Sequence, residues 1–195
     1  MTLGLLKANA QWTQLKTYPG KKSSSILQPE VYNLLQEYNI DPRSLAQIVS
    51  IAGPGFYTGL RLTEGFCDVF KFFEVPHYSF YSYEIPCLLD VAEGCFLTKA
   101  YRGEYFLHSW AKGVQKNEMI ATKDLAEKLA TIKQIYIHSL ESLDEFSKEM
   151  LPECVMTTDL LKSHGELVLS KVIDKKLFRE SFYFRPPEDE FKANP

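Results

Sequence analysis

The sequence predicts an α/β protein built on a mixed sheet with flanking helices. Three observations carry this. A short apolar run, Ile48-Val49-Ser50-Ile51, leads through Gly53-Pro54-Gly55 into a helical pattern. Two strand patterns, Cys95–Ala100 and Glu104–Trp110, flank a tight Tyr101-Arg102-Gly103 turn and read as a hairpin. After the hairpin, helical and strand patterns alternate to about Ile173, the order expected when helices cover a sheet rather than each other.

The elements follow in chain order. Thr2–Lys7 and Gln11–Tyr18 read as two strands around a turn at Ala8-Asn9. Pro19–Ser25 is a loop. Ile26, Val31, Leu34, Leu35 and Tyr38 then fall at helical spacing over Ile26–Tyr38. Serines before this helix offer N-caps, and Pro29 is tolerated in its first turn, where a missing N–H costs little. Asn39-Ile40-Asp41-Pro42 ends it. Ser44–Ala52 contains the buried strand Ile48–Ile51, and Thr58–Phe73 is a helix stopped by Pro76. His77–Tyr81 is a short strand and Glu84–Val91 a short helix with Pro86 near its start. Beyond the hairpin, Met119–Ala121 adds a third strand. Helices are expected over Lys123–Thr131, Leu140–Met150 and Leu160–Ile173, and strands over Gln134–His138 and Cys154–Thr157. The tail, Pro186–Pro195, is polar and turn-rich.

Composition narrows the function. The chain has 195 residues, 45% of them hydrophobic, enough for a packed core in one large domain or two small ones. Its 22 Lys+Arg against 25 Asp+Glu leave a net charge of −3, which argues against holding nucleic acid by a basic surface of its own. Cys67, Cys87, Cys95 and Cys154 form no CxxC pair and read as buried thiols in a reducing compartment. No apolar run reaches membrane-helix length, and the start MTLGLLKANAQW has no signal-peptide pattern, so a soluble cytoplasmic protein is expected.

Motifs for chemistry are sparse. His77, His108, His138 and His164 stand apart, so no HxxxH or HExxH pair exists and they read as isolated surface or strand histidines. There is no GxSxG elbow, no cysteine with a local base, and no P-loop or GxGxxG. The segment Gly53–Gly59 sits between strand and helix, where anions bind helix N-termini. Either it holds an anion, with Phe56 and Tyr57 narrowing the site, or it is a tight turn with a packing role. Gly53 and Gly55 supply backbone freedom, Pro54 fixes the bend, and Gly59 permits close approach of another backbone.

Those same residues carry a resemblance. Gly53-Pro54-Gly55-Phe56-Tyr57-Thr58-Gly59-Leu60-Arg61 resembles the GPGSFTGLR signature of the TsaB (YeaZ) family. Weaker likenesses follow in the family's order. They are Ile26–Val31 with its helix containing Leu-Leu-Pro, Pro76–Tyr83 with PxxGVSSL, Lys99–Phe106 with DARRGEVY, and Phe182–Arg185 with PxYLR. The likeness spans about Ser23 to Arg185.

The resemblance implies an actin-like fold (the sugar kinase/Hsp70/actin type) of two α/β lobes, residues 1–90 and 91–195. It implies a non-catalytic partner in the machinery that builds N6-threonylcarbamoyladenosine at position 37 of tRNAs reading ANN codons. Such a protein pairs with the metal-bearing transferase TsaD, is joined by the ATPase TsaE, forms homodimers through the same helices, and meets tRNA only indirectly. The departures are also specific. Met1–Lys16 resembles the family's second and third strands only, so the first lobe is expected to lack its first strand and that strand's phosphate-facing loop. Ser23, Phe56, Thr63 and Lys99 stand where the family has His, Ser, Gly and Asp. The reading therefore assigns no cofactor and no metal. The paired metal histidines of TsaD-like paralogues have no counterpart.

The implied partner surface is the pair of helices Ile26–Tyr38 and Leu60–Phe73. Together they carry Val31, Leu34, Leu35, Leu62, Phe66, Phe70 and Phe73, more large apolar groups than one stripe facing one core needs. Each either fills the core or joins an exposed patch with aromatic anchors. On the patch reading, a charge at Phe66 or Phe70 weakens partner binding and leaves the chain folded. Gly53, Pro54, Gly55, Thr58 and Gly59 are the structural turn, and Arg61 is either a buried ion-pairing group tying the turn to the second lobe or a solvated helix residue. Two other function classes stay open: an actin-type ATP-binding module and a glycoprotease-like hydrolase.

Overall fold

The computed structural model describes residues 1–7, 11–18, 23–101, 103–138 and 152–184. The predicted turn at Ala8-Asn9, the helix over Leu140–Met150, the tail from Pro186, and Arg102 and Arg185 lie outside these residues. The elements are β1 (Thr2–Leu6), β2 (Trp12–Thr17), α1 (Ser23–Glu37), β3 (Ile48–Ile51), α2 (Tyr57–Phe72), β4 (His77–Phe80) and α3 (Glu84–Leu88). There follow β5 (Glu93–Lys99), β6 (Glu104–Ala111), β7 (Val114–Ala121), α4 (Thr122–Leu129), β8 (Gln134–Ile137), β9 (Glu153–Met156) and α5 (Thr157–Asp174). Two compact units result. One holds Met1–Tyr81 with the chain from Leu169 onward, the other Ser82–Val168.

The first unit has two separate strand pairs. β1 and β2 form an antiparallel hairpin, and β3 and β4 pair in parallel, Ile48 opposite His77 and Ile51 opposite Phe80. Lys16 Nζ on β2 meets Glu37 on α1 at 2.7 Å, and the Tyr18 hydroxyl donates to Glu30 at 2.6 Å, so the hairpin is tied along α1. α1 starts at Ser23, three residues before the predicted Ile26, because the serines join the helix rather than a loop. α1 and α2 both end on a residue with positive φ, Asn39 (52°) and Glu74 (60°). Backbone N–H groups of Ile40 and Val75 reach back to Leu35 and Phe70, which satisfies carbonyls that have run out of helix.

The second unit is one five-stranded sheet in the order β7-β6-β5-β8-β9, antiparallel through the β5–β6–β7 meander and parallel from β5 to β9. Strand alternation sends Cys95, Leu97, Tyr105 and Leu107 to a face covered by Leu125 and Leu129 of α4. Phe96, Phe106, His108, Trp110 and Tyr136 line the opposite face. There Tyr83 stacks on His108 at 4.0 Å, and His108 on Trp110 at 5.8 Å. His108 is thus a core histidine. Its Nδ1 lies 2.6 Å from the Asn117 side-chain oxygen, and burial lowers its pKa despite that bond. The predicted third strand begins at Val114 instead of Met119. Its first four residues, Val114–Asn117, are exposed, and the turn before it uses Lys112 and Gly113, both at positive φ. α5 starts earlier than predicted and breaks its helical geometry at His164. The four cysteines are free; Cys67 and Cys95 are buried, whereas Cys87 and Cys154 are only half-buried.

Candidate functional site

The motif that carried the resemblance folds as a strand-to-helix turn that holds the chain's own later segment. Gly53 has φ 107°, which side chains disfavour, and a Cβ there would lie 2.8 Å from the Phe182 carbonyl oxygen. The Gly53–Pro54 bond is cis. Phe182 N–H donates to the Ala52 carbonyl at 2.8 Å, Gly55 N–H donates to the Phe182 carbonyl at 3.3 Å, and Gly55 bridges to Tyr183. A crevice beyond the carboxyl ends of parallel strands is the usual ligand position in such folds. Here chain 182–183 lies against it. These contacts support the packing reading of the turn.

One expectation about this turn changes. A Cβ on Gly59 would meet nothing within 4 Å, so its lack of a side chain is not used for close approach. Of the two alternatives for Arg61, the solvated helix residue is the one observed. Its guanidinium donates to Glu64 at 3.0 Å, one helical turn on, and sits 5.7 Å from the centre of the Tyr57 ring. Glu64 in turn accepts from the Tyr183 hydroxyl at 2.9 Å. Burial works against the Glu64 charge, but hydrogen bonds from Ser181, Arg61 and Tyr183 hold its carboxyl below the usual range. Thr58 is exposed, and exposed Phe56 meets Phe184 edge-to-face at 6.1 Å.

The helix-pair residues divide. Leu34, Leu35 and Phe70 are core, each 5% exposed. Val31, Leu62 and Phe66 are half-buried, with the Phe66 and Phe70 rings 5.0 Å apart. Phe73 is exposed. A charge at Phe70 therefore breaks the core instead of testing a surface. The exposed apolar groups that the sequence list omitted are Tyr32 on α1 and Val69 and Phe72 on α2, Phe72 being 86% exposed. The spacing 69, 72, 73 marks a second stripe on α2, displaced from the Leu60–Cys67–Phe70 stripe that faces inward. The list followed the longer 62–66–70–73 run and mixed the two.

A cavity of about 390 Å³ lies between α2, the β3–β4 pair and residues 178–183. It contains a pairing that sequence separation concealed. Parallel register puts Ser50 and His77 on one face, with Ser50 Oγ 2.8 Å from His77 Nε2. The expected absence of a nucleophile–base pair is corrected to that extent. No carboxylate completes it: His77 Nδ1 is buried and has no hydrogen-bond partner. Burial first, then the Lys71 charge, push His77 below its ordinary pKa, and Asp68 opposes this. The Cys67 thiol is pushed up to about 11, chiefly by burial and against a hydrogen bond with Ser50. Among the described residues no cluster of three or more His, Cys, Asp or Glu is placed to hold a metal ion, and no helix is long and apolar enough to cross a membrane.

No family model matches the chain. Solved structures do. YeaZ from Pseudomonas aeruginosa superposes with a TM-score of 0.60 at 14% identity, over 91% of this chain and 89% of that one. An uncharacterized protein with similarity to peptidase YeaZ from Pseudomonas aeruginosa gives 0.56 at 15% identity, over 92% and 93%. The chain shares its fold with these proteins.

Proposed function

We propose that this chain is a non-catalytic partner protein of the TsaB type, with the two-lobed actin-like architecture of that family. In this reading it docks on a TsaD-type transferase that attaches the threonylcarbamoyl group to tRNAs reading ANN codons. A TsaE-type ATPase joins through the complex, and tRNA is met only through the partners. The reading places the protein in the cytoplasm and assigns it no cofactor.

The observation that carries the proposal is the exposed apolar end of α2: Val69, Phe72 and Phe73 on one stretch, 54%, 86% and 40% exposed. Large aromatics in that state are anchors awaiting a partner pocket. The YeaZ-like fold and the Gly53–Arg61 likeness support a TsaD-type partner for this surface. Half-buried Val31, Leu62 and Phe66 form the margin of this surface, which also serves homodimerisation when the partner is absent. The test is size-exclusion of the chain with its cognate TsaD-type protein, then threonylcarbamoyl transfer measured with and without it. Failure to co-elute and no change in transfer would overturn the proposal.

The hydrolase reading draws on one observation, the 2.8 Å Ser50–His77 contact. It is the weaker reading on physical grounds. A histidine acting as general base becomes cationic as it takes the proton. His77 has no carboxylate on Nδ1 and a Lys71 charge that disfavours protonation. For the ATP-binding reading, thermal shift with ATP and Mg²⁺ is the discriminating measurement.

A further inference from the structure

The segment after α5 is held to the first unit by a short set of bonds. Ser79 N–H donates to the Leu177 carbonyl at 2.9 Å, and Arg179 N–H donates to Ser79 Oγ at 2.7 Å. Further along, Phe182 is bonded to Ala52 and Gly55, and Tyr183 to Glu64. At the start of this clasp His77 abuts the Phe178 ring edge-on at 5.6 Å. Phe178 is 53% exposed, and Lys71 Nζ sits 5.6 Å over the same ring.

We propose that His77 is the catch of an acid-opened latch, and that its protonation releases segment 177–183 from β4 and from the Gly53–Gly55 turn. The geometry gives the reason. Imidazolium has two N–H donors. Ser50 Oγ takes one at Nε2, while the second, at buried Nδ1, has no acceptor. A buried charged donor left unpaired is strongly unfavourable.

The surrounding charges do not rescue it. From α2, Asp68 is already bonded to Lys71 at 2.8 Å, Glu64 is held by Arg61 and Tyr183, and the Cys67 thiol is neutral. Lys71 repels. β3 contributes only the Ser50 hydroxyl. Arg179 and Glu180 of the segment line the same cavity, but the charges that act on the His77 ring are Lys71 and Asp68. The half-exposed wall is Phe178, and moving it hydrates Nδ1. Neutral His77 keeps the latch shut, and acid opens it.

The test is amide hydrogen exchange on the full chain between about pH 7.5 and 5, corrected for intrinsic rates, with the His77 ring titrated by NMR. The reporters are the amides of Ser79, Arg179, Phe182 and Gly55. Their protection should fall by up to about tenfold for each pH unit from about pH 6.5, where a released His77 binds its proton, down to the His77 midpoint in the closed chain, and level off below it. Amides of Leu97 and Leu107 in the second unit should hold, and His77→Gln should flatten the response. Any one of three results overturns the proposal: protection independent of pH, equal loss at Leu97 and Leu107, or a loss that does not level off at the midpoint of the His77 ring. The last comparison uses the unmodified chain, so it decides the matter even where His77→Gln does not fold.

Discussion

Phe72→Glu is the substitution that most directly tests the partner surface. Phe72 is 86% exposed, so the free chain has almost none of its burial energy to lose. Surface changes of this kind stay within about 0.5 kcal/mol. In a complex the ring would lose that exposure. Burying a Phe side chain is worth about 1.5–3 kcal/mol, and an interfacial aromatic removed from its pocket typically costs about 2 kcal/mol or more. A carboxylate in its place adds desolvation cost. At about 1.4 kcal/mol per tenfold, the dissociation constant for the TsaD-type partner should rise at least about 30-fold. The assay is calorimetric titration beside a thermal melt of each chain. Phe72 meets Phe73 at 6.0 Å, so Phe73→Glu should act in the same direction. If both variants bind within threefold of the parent while melting normally, this end of α2 is not the docking surface.

Four other outcomes follow from the packing. Phe70→Ala empties a core position and should cost about 3–5 kcal/mol of stability in a denaturant melt, whatever it does to binding. Gly94→Ala puts a Cβ 2.4 Å from the Trp110 indole, whose Nε1 donates to the Val91 carbonyl. It should cost about 1–3 kcal/mol and shift tryptophan emission. Glu74→Gly relieves a left-handed residue at the end of α2 and should raise stability by about 0.5–1 kcal/mol in the same melt. His77 and His108 both titrate below the ordinary histidine value in the folded chain, chiefly through burial. The unfolded chain therefore binds more protons just below about pH 6.5, so stability is full above that pH and falls as pH drops toward the folded-state values. Melts across this range should show the decline, and a flat profile would contradict both assignments.

Most elements were legible where periodicity and punctuation agreed. Ile48–Ile51, its glycine-proline turn and the following helix fall where the pattern puts them, because β3 is apolar and Pro76 leaves α2 no room to continue. The Cys95–Trp110 hairpin is equally plain. What was hidden had physical causes. β7 begins in exposed Val114-Gln115-Lys116-Asn117, an edge-strand pattern without alternation, after a Lys112-Gly113 turn that lacks the usual Asn or Asp. The ends of α1 and α2 carry Asn39 and Glu74 where glycine is the expected signal. The Ser50–His77 pair joins positions 27 apart, and only the parallel register brings them together. The helix surface was half legible. The two helices carry more large apolar groups than are buried, but helical spacing alone could not decide which of Phe66, Phe70, Phe72 and Phe73 stayed outside.

That excess and the glycine-proline turn belong to one argument about α2. At its N-terminal end the turn binds Phe182, and Tyr183 reaches Glu64 within the helix, so this end is engaged by the chain's own segment. Its middle, Leu60, Cys67 and Phe70, faces the core. The C-terminal end, Val69 to Phe73, leaves three large apolar side chains in solvent, whereas at the other end exposed Phe56 meets Phe184. A ligand-binding α/β protein keeps its strand-to-helix turn open, since that is where backbone N–H groups can meet an anion. This chain instead places Phe56, Phe182 and Tyr183 at that end and bonds the Gly55 N–H to its own carbonyl. The N-terminal end of α2 is thus engaged by the chain's own segment, and the apolar area left at Val69, Phe72 and Phe73 is the surface on which the proposed docking rests.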